Sequence, residues 1–131
     1  MEDRQRITTK SILDNYFISD YRLKWIDYYR SFPSKNPTDS WLWHMDNYPL
    51  GILKGMILFT NQNSKSGAMS YLDKKMSLSM IKEKYYGTPD IDRKADITTI
   101  LKKDHFYNNI FFLSGKSGDM YLFSGNQMHR A

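Results

Sequence analysis

With 131 residues, 40% hydrophobic and 15% aromatic, the chain has material for one packed core, which makes a single domain the expectation and excludes global disorder. It has no cysteine, which excludes disulfides, thiolate zinc sites, iron–sulfur clusters and cysteine nucleophiles, and leaves His, Asp and Glu to hold any metal. The formal charge of +5 is spread over lysines and arginines standing singly or in pairs such as Lys74-Lys75, and no run approaches the ~18 apolar residues that span a bilayer, so neither nucleic acid nor membrane is an expected partner and a cytoplasmic protein is expected.

Residues 1–19 read as a helical lead-in: Ile12, Leu13, Tyr16 and Phe17 recur at helical spacing after Thr8-Thr9, predicting a core-packing helix over 8–17. Tyr21, Leu23 and Trp25 alternate with Arg22 and Lys24, which favours a strand over 21–30, although Tyr21, Trp25 and Tyr29 are also spaced as on a helix. Pro33 and Pro37 mark 31–40 as a loop. A strand over Ser40 to Asp46 would put Trp41, Trp43 and Met45 on one face, as core, and Leu42, His44 and Asp46 on the other.

Leu53 to Thr60 is short and mostly apolar, which predicts a buried strand, with Asn61 to Gly67 as a polar turn and Ala68 to Leu72 as its hairpin partner. Residues 77–106 carry Met80, Ile81, Tyr85, Ile97, Ile100 and Leu101 around Gly87-Thr88-Pro89 and read as a helical insertion. Ile110 to Leu113 and Met120 to Phe123, separated by the turn Gly115 to Asp119, read as strands, and the tail carries His129. The fold class expected is mainly β with a helical insertion, as an antiparallel sandwich or jelly-roll barrel.

His44 and Asp46 are two residues apart, so on a strand both side chains leave one face and can reach one ion; His129 lies on another predicted strand end. Two His and one carboxylate leave open positions on an octahedral metal, the arrangement associated with oxygen-activating ferrous enzymes. The His-x-Asp spacing alone is a weak signal. Its bland counterpart is a histidine hydrogen-bonded to a neighbouring carboxylate on a sheet surface.

The order Trp43-His44-Met45-Asp46-Asn47, Leu53-Lys54-Gly55 entering an apolar strand, and Gly118-Asp119 leading through Phe123 to His129-Arg130 resembles the phytanoyl-CoA dioxygenase family over residues 20–131. The resemblance implies a double-stranded β-helix, Fe(II) held by His44, Asp46 and His129, and 2-oxoglutarate as cosubstrate, decarboxylated to succinate as O₂ hydroxylates a small organic substrate. It also implies an arginine about ten residues beyond the distal histidine, on a last strand; the sequence ends at Ala131, so that strand is missing from the expected barrel. Where relatives have a Pro-Gly-Ser-His-like turn, this chain reads Tyr71-Leu72-Asp73-Lys74-Lys75.

Around the ligands, Tyr29 and Lys54 are candidate cosubstrate contacts, beside the simpler roles of core packing for Tyr29 and solvation for Lys54. Asn47 and Tyr48 are candidate pocket-lining residues. His105 reads as a solvated loop residue outside the site, and Arg130, next to a ligand on a strand, is expected to point away from the metal. The alternative function is a non-catalytic or truncated metal-binding barrel that needs a partner strand, or a second copy of the chain, along an open sheet edge.

Overall fold

The computed structural model describes residues 9–49, 51–88, 92–101 and 110–131. Two units make up the chain, Met1–Pro33 and Ser34–Ala131. In the first, helix α1 (Thr9–Phe17) carries a Lys10–Asp14 ion pair at 2.6 Å across one turn. Asp14 also accepts a hydrogen bond from the Tyr21 hydroxyl at 2.9 Å, and the Tyr21 ring stacks on Phe17. Two expectations fail here. Helix α1 buries no residue and leaves Ile12 and Tyr16 exposed, so it is not a core helix. Residues 21–30 are neither strand nor helix. Their rings find local partners instead, Tyr21 on Phe17 and Trp25 under the Lys24 ammonium at 5.2 Å, and no described strand offers them a ladder.

Among its described residues the second unit holds two small antiparallel sheets. Strands β1 (Lys54–Ile57) and β4 (Met120–Phe123) form one; β3 (Ile110–Phe112), β2 (Ser70–Leu72) and β5 (His129–Arg130) form the other, in that order. The pairings nest: Lys54 faces Phe123, Gln62 faces Gly115, and Ser70 faces Phe112. Residues 54–72 and 110–123 are thus two arms of one long hairpin that begins in the first sheet and ends in the second. From Gln62 to Ser70 one arm advances eight residues while the other, from Gly115 to Phe112, advances three. The Asn63–Gly67 turn absorbs the difference, with Gly67 at φ +82° and the Ala68 N–H donating to the Asn63 carbonyl at 3.1 Å.

That turn is why the expected hairpin partner is wrong: the polar segment after β1 moves the chain into the other sheet, and β2 pairs with β3 and β5. Nor is 53–60 buried on both faces. Leu58 is buried but Ile57 and Phe59 are exposed, because β1 has a strand on one side and solvent on its outer face. No closed barrel is formed among the described residues.

The insertion is the tip of the hairpin and starts earlier than expected. Helix α2 (Lys74–Lys82) begins right after β2 because the Asp73 carboxylate accepts from the Met76 N–H at 2.6 Å and caps it. Helix α3 (Thr98–Leu101) follows; the end of the expected insertion, with His105, lies outside the described residues. Trp43, Met45, Leu72, Met76, Met80, Tyr85, Ile97 and Met128 form the core between α2, α3 and the second sheet. Burying each large side chain there contributes roughly 1.5–3 kcal/mol, and the Met share lets an irregular gap between short elements be filled. No helix among the described residues is long and apolar enough to cross a membrane.

Candidate metal centre

Residues 40–46 do not make the long strand expected. A 3-10 turn covers Asp39–Trp41, and only Trp43 and His44 bridge to neighbours. The alternation nevertheless holds where it matters: Trp43 and Met45 enter the core, while His44 and Asp46 leave the opposite face. Trp41 is only partly buried.

His44 and His129 face each other as a fully hydrogen-bonded antiparallel pair, His44 N–H to the His129 carbonyl at 3.0 Å and His129 N–H to the His44 carbonyl at 2.9 Å. Directly opposed residues share a face, so register alone brings the imidazoles side by side, with centroids 4.5 Å apart. Asp46 joins them because its N–H donates to the Gly125 carbonyl at 2.8 Å. One ligand atom from each of His44, Asp46 and His129 lies within 4.8 Å of the others.

The rings are oriented from behind. His44 Nδ1 lies 2.7 Å from the Leu42 carbonyl and His129 Nδ1 lies 2.8 Å from the Gln127 carbonyl. A carbonyl can only accept, so each Nδ1 carries its proton and each neutral ring presents the Nε2 lone pair to Asp46. Both rings are 4% exposed. Burial holds His44 below its ordinary pKa, and burial, helped by the neighbouring His44, pushes His129 down to about 4. The Nε2 atoms stand 3.8 Å (His44) and 3.5 Å (His129) from the Asp46 carboxylate, longer than a well-formed hydrogen bond. Asp46 Oδ2 is buried, and its close polar partner among the described residues is the Lys54 ammonium, at 2.5 Å. Three acceptors thus converge on one point with a single ammonium at their edge, an arrangement that a divalent cation with N and O preference fits.

No family model, curated protein or solved structure gives a significant match to this chain. The site therefore rests on its own geometry.

Of the other sequence candidates, Lys54 stands at the first position of β1 and reaches Asp46. The Tyr48 ring lies 5.2 Å from the Lys54 ammonium, while Asn47 is exposed. Tyr29 belongs to the first unit, where its ring is 73% exposed; core packing is not its role. Arg130 donates to the Ala95 carbonyl at 2.9 Å and lies 4.9 Å from the Trp43 ring centroid, on the face away from Asp46.

Several supporting residues escaped sequence reasoning. A Cβ at Gly125 would collide with the Asp46 carboxylate, and a Cβ at Gly87, which sits at φ +65°, would collide with the His44 backbone. Asn126 clamps the Tyr48 backbone, donating to its carbonyl at 3.0 Å and accepting from its N–H at 3.4 Å. The Tyr71 hydroxyl donates to Gln127 Oε1 at 2.5 Å, next to the carbonyl that orients His129. The Ser124-Gly125-Asn126 triplet is the one signal that could have pointed to a close backbone approach before His129.

Proposed function

We propose that His44, Asp46 and His129 hold Fe(II), and that the chain is a 2-oxoglutarate-dependent dioxygenase of the phytanoyl-CoA dioxygenase type. The observation that carries this reading is the pair of imidazoles whose Nδ1 atoms are tied to backbone carbonyls and whose Nε2 lone pairs converge with Asp46. A surface histidine–carboxylate hydrogen bond accounts for neither the burial of both rings nor the separations of 3.5 and 3.8 Å.

Support for a double-stranded β-helix comes from the nesting of pairs, β2 with β3 inside β1 with β4 inside His44 with His129, alternating between two sheets. Successive nested pairs of one long hairpin, divided between two sheets, are the pairing pattern a jelly roll requires. Bound iron would supply the activation of O₂, coupling oxidative decarboxylation of 2-oxoglutarate to succinate with hydroxylation of a small organic substrate. The chain's own part is positional. The carbonyls of Leu42 and Gln127 hold the rings, Gly125 leaves room for Asp46, and Tyr48 and Lys54 border the open side. Asn47, in the same unit as the site, stays a candidate for a pocket contact. The cytoplasmic setting is part of this proposal and fits a chain without cysteine.

The test is succinate formation from 2-oxoglutarate with Fe(II) and O₂, which proceeds even without the primary substrate at a slow uncoupled rate. The intact chain is expected to form succinate and a His44→Ala variant to stay at the rate of free iron. Equal rates would refute the catalytic reading.

A second reading, a non-catalytic metal-binding barrel completed by a partner strand or a second copy, is favoured by the two-stranded β1–β4 sheet with exposed Ile57, Phe59 and Met120. A strictly monomeric protein that turns over 2-oxoglutarate would remove it.

A further inference from the structure

We propose that Lys54 is a displaceable counter-cation: it neutralises Asp46 while the site is empty of metal, yields that carboxylate to the metal, and then holds the negative end of an anionic ligand on the open side. The inference rests on the metal-binding reading above and assigns a role to a residue that neither ligates the metal nor belongs to the hydrophobic core.

Lys54 opens β1, paired with Phe123, and its side chain reaches the face that Asp46 occupies. The Asp46 side chain is 14% exposed, its Oδ2 is buried, and two neutral imidazoles cannot donate to it. An isolated carboxylate there would be costly, and the Lys54 ammonium at 2.5 Å offsets that cost. The lysine is 28% exposed, more than its partner, and lies 5.2 Å from the Tyr48 ring, so it has both a route to solvent and an aromatic face to rest on.

The charge count gives the consequence. Asp46 and Lys54 cancel, so a divalent ion raises the centre to a net charge of about +2. The metal and the ammonium repel each other, which penalises metal uptake; a dianion relieves the repulsion more fully than a monoanion. Metal and anion affinities are then linked through Lys54, each raising the other.

The experiment is calorimetric titration of Co(II), a redox-stable stand-in for Fe(II), into the full chain and into Lys54→Met, Lys54→Gln and Lys54→Arg. Each titration is run alone, with pyruvate, and with 2-oxoglutarate, two acids sharing one chelating head but differing by a carboxylate. Both neutral variants are expected to bind Co(II) alone about tenfold more tightly than the native chain, and to lose about tenfold of the preference for 2-oxoglutarate over pyruvate. Lys54→Arg, which keeps the charge, is expected to retain the native behaviour. Folding of each variant is checked by circular dichroism, and the two neutral side chains guard against misfolding of either one. Metal binding in the neutral variants with none in the native chain would support the proposal in its strongest form. Unchanged or weaker Co(II) binding in folded neutral variants would overturn it while leaving the metal site standing. Absence of binding in native and variant chains alike would overturn the metal reading and this proposal with it.

Discussion

The two histidines are buried as neutral rings, and that has a cost visible in acid. His129 is held down to about 4 by burial first and by His44 second, against an ordinary value of 6.5, and His44 is shifted in the same direction. At His129 the unfolded chain takes up its proton near pH 6.5 and the folded chain does not until about pH 4. The stability that His129 contributes is therefore complete above pH 6.5 and is lost as pH falls through that window. Its size is about 3 kcal/mol for a ring this buried. Urea midpoints of the metal-free protein are expected to fall from pH 7 to pH 4, and a His129→Gln variant to show a flatter profile. Equal profiles would mean that both rings charge freely in the folded chain. At this scale the pairing of His44 with Asp46 was legible from spacing, because a two-residue step on extended backbone returns to the same face, and His129 joined them through the order of motifs in the family resemblance. Gly125 and Gly87 were not, since what they contribute is the lack of a Cβ at a close approach between segments distant in sequence.

Between elements, the ligand segment is held on both edges. β5 pairs with it at His44, and the returning insertion supplies the other edge: Trp43 N–H to the Lys94 carbonyl at 2.9 Å and Met45 N–H to the Tyr86 carbonyl at 2.9 Å. The buried Tyr85 hydroxyl ties the two together, donating to the Trp43 carbonyl at 2.8 Å and accepting from the Lys94 N–H at 2.9 Å. Helix α2 anchors β5 through one bond, the Met128 N–H donating to the buried Ser77 hydroxyl at 3.0 Å. Ser77→Ala leaves that N–H without its acceptor next to a ligand, so a loss of roughly 1–3 kcal/mol is expected in denaturant unfolding, with weaker metal binding. A stability change under about 0.5 kcal/mol would show that the bond is not needed. Periodicity located β3 and β4 to within a residue because each has its own apolar run, whereas α2 was covered only in part, by an expected insertion that began at residue 77. It could not tell which strand pairs with which: Ala68 to Leu72 reads the same whether it turns back on β1 or crosses to β5, and only the extra residues of the Asn63–Gly67 turn decide. Over 21–30 a strand pattern without a described partner gave no strand.

At the scale of the molecule, the three candidate ligands and Lys54 all belong to the unit Ser34–Ala131, built from one long hairpin whose tip is helical. That winding makes His44 and His129, the outermost described pair, close over a buried carboxylate. In our proposal this convergence holds Fe(II) and accepts a chelating oxoacid. Its most direct test is an anaerobic titration of the intact chain with Fe(II), with and without 2-oxoglutarate, following visible absorbance. A weak metal-to-ligand charge-transfer band is expected that appears only when protein, iron and 2-oxoglutarate are together, and that His129→Ala abolishes. Iron binding without the band would contradict the dioxygenase reading, and no iron binding at all would contradict the metal centre itself.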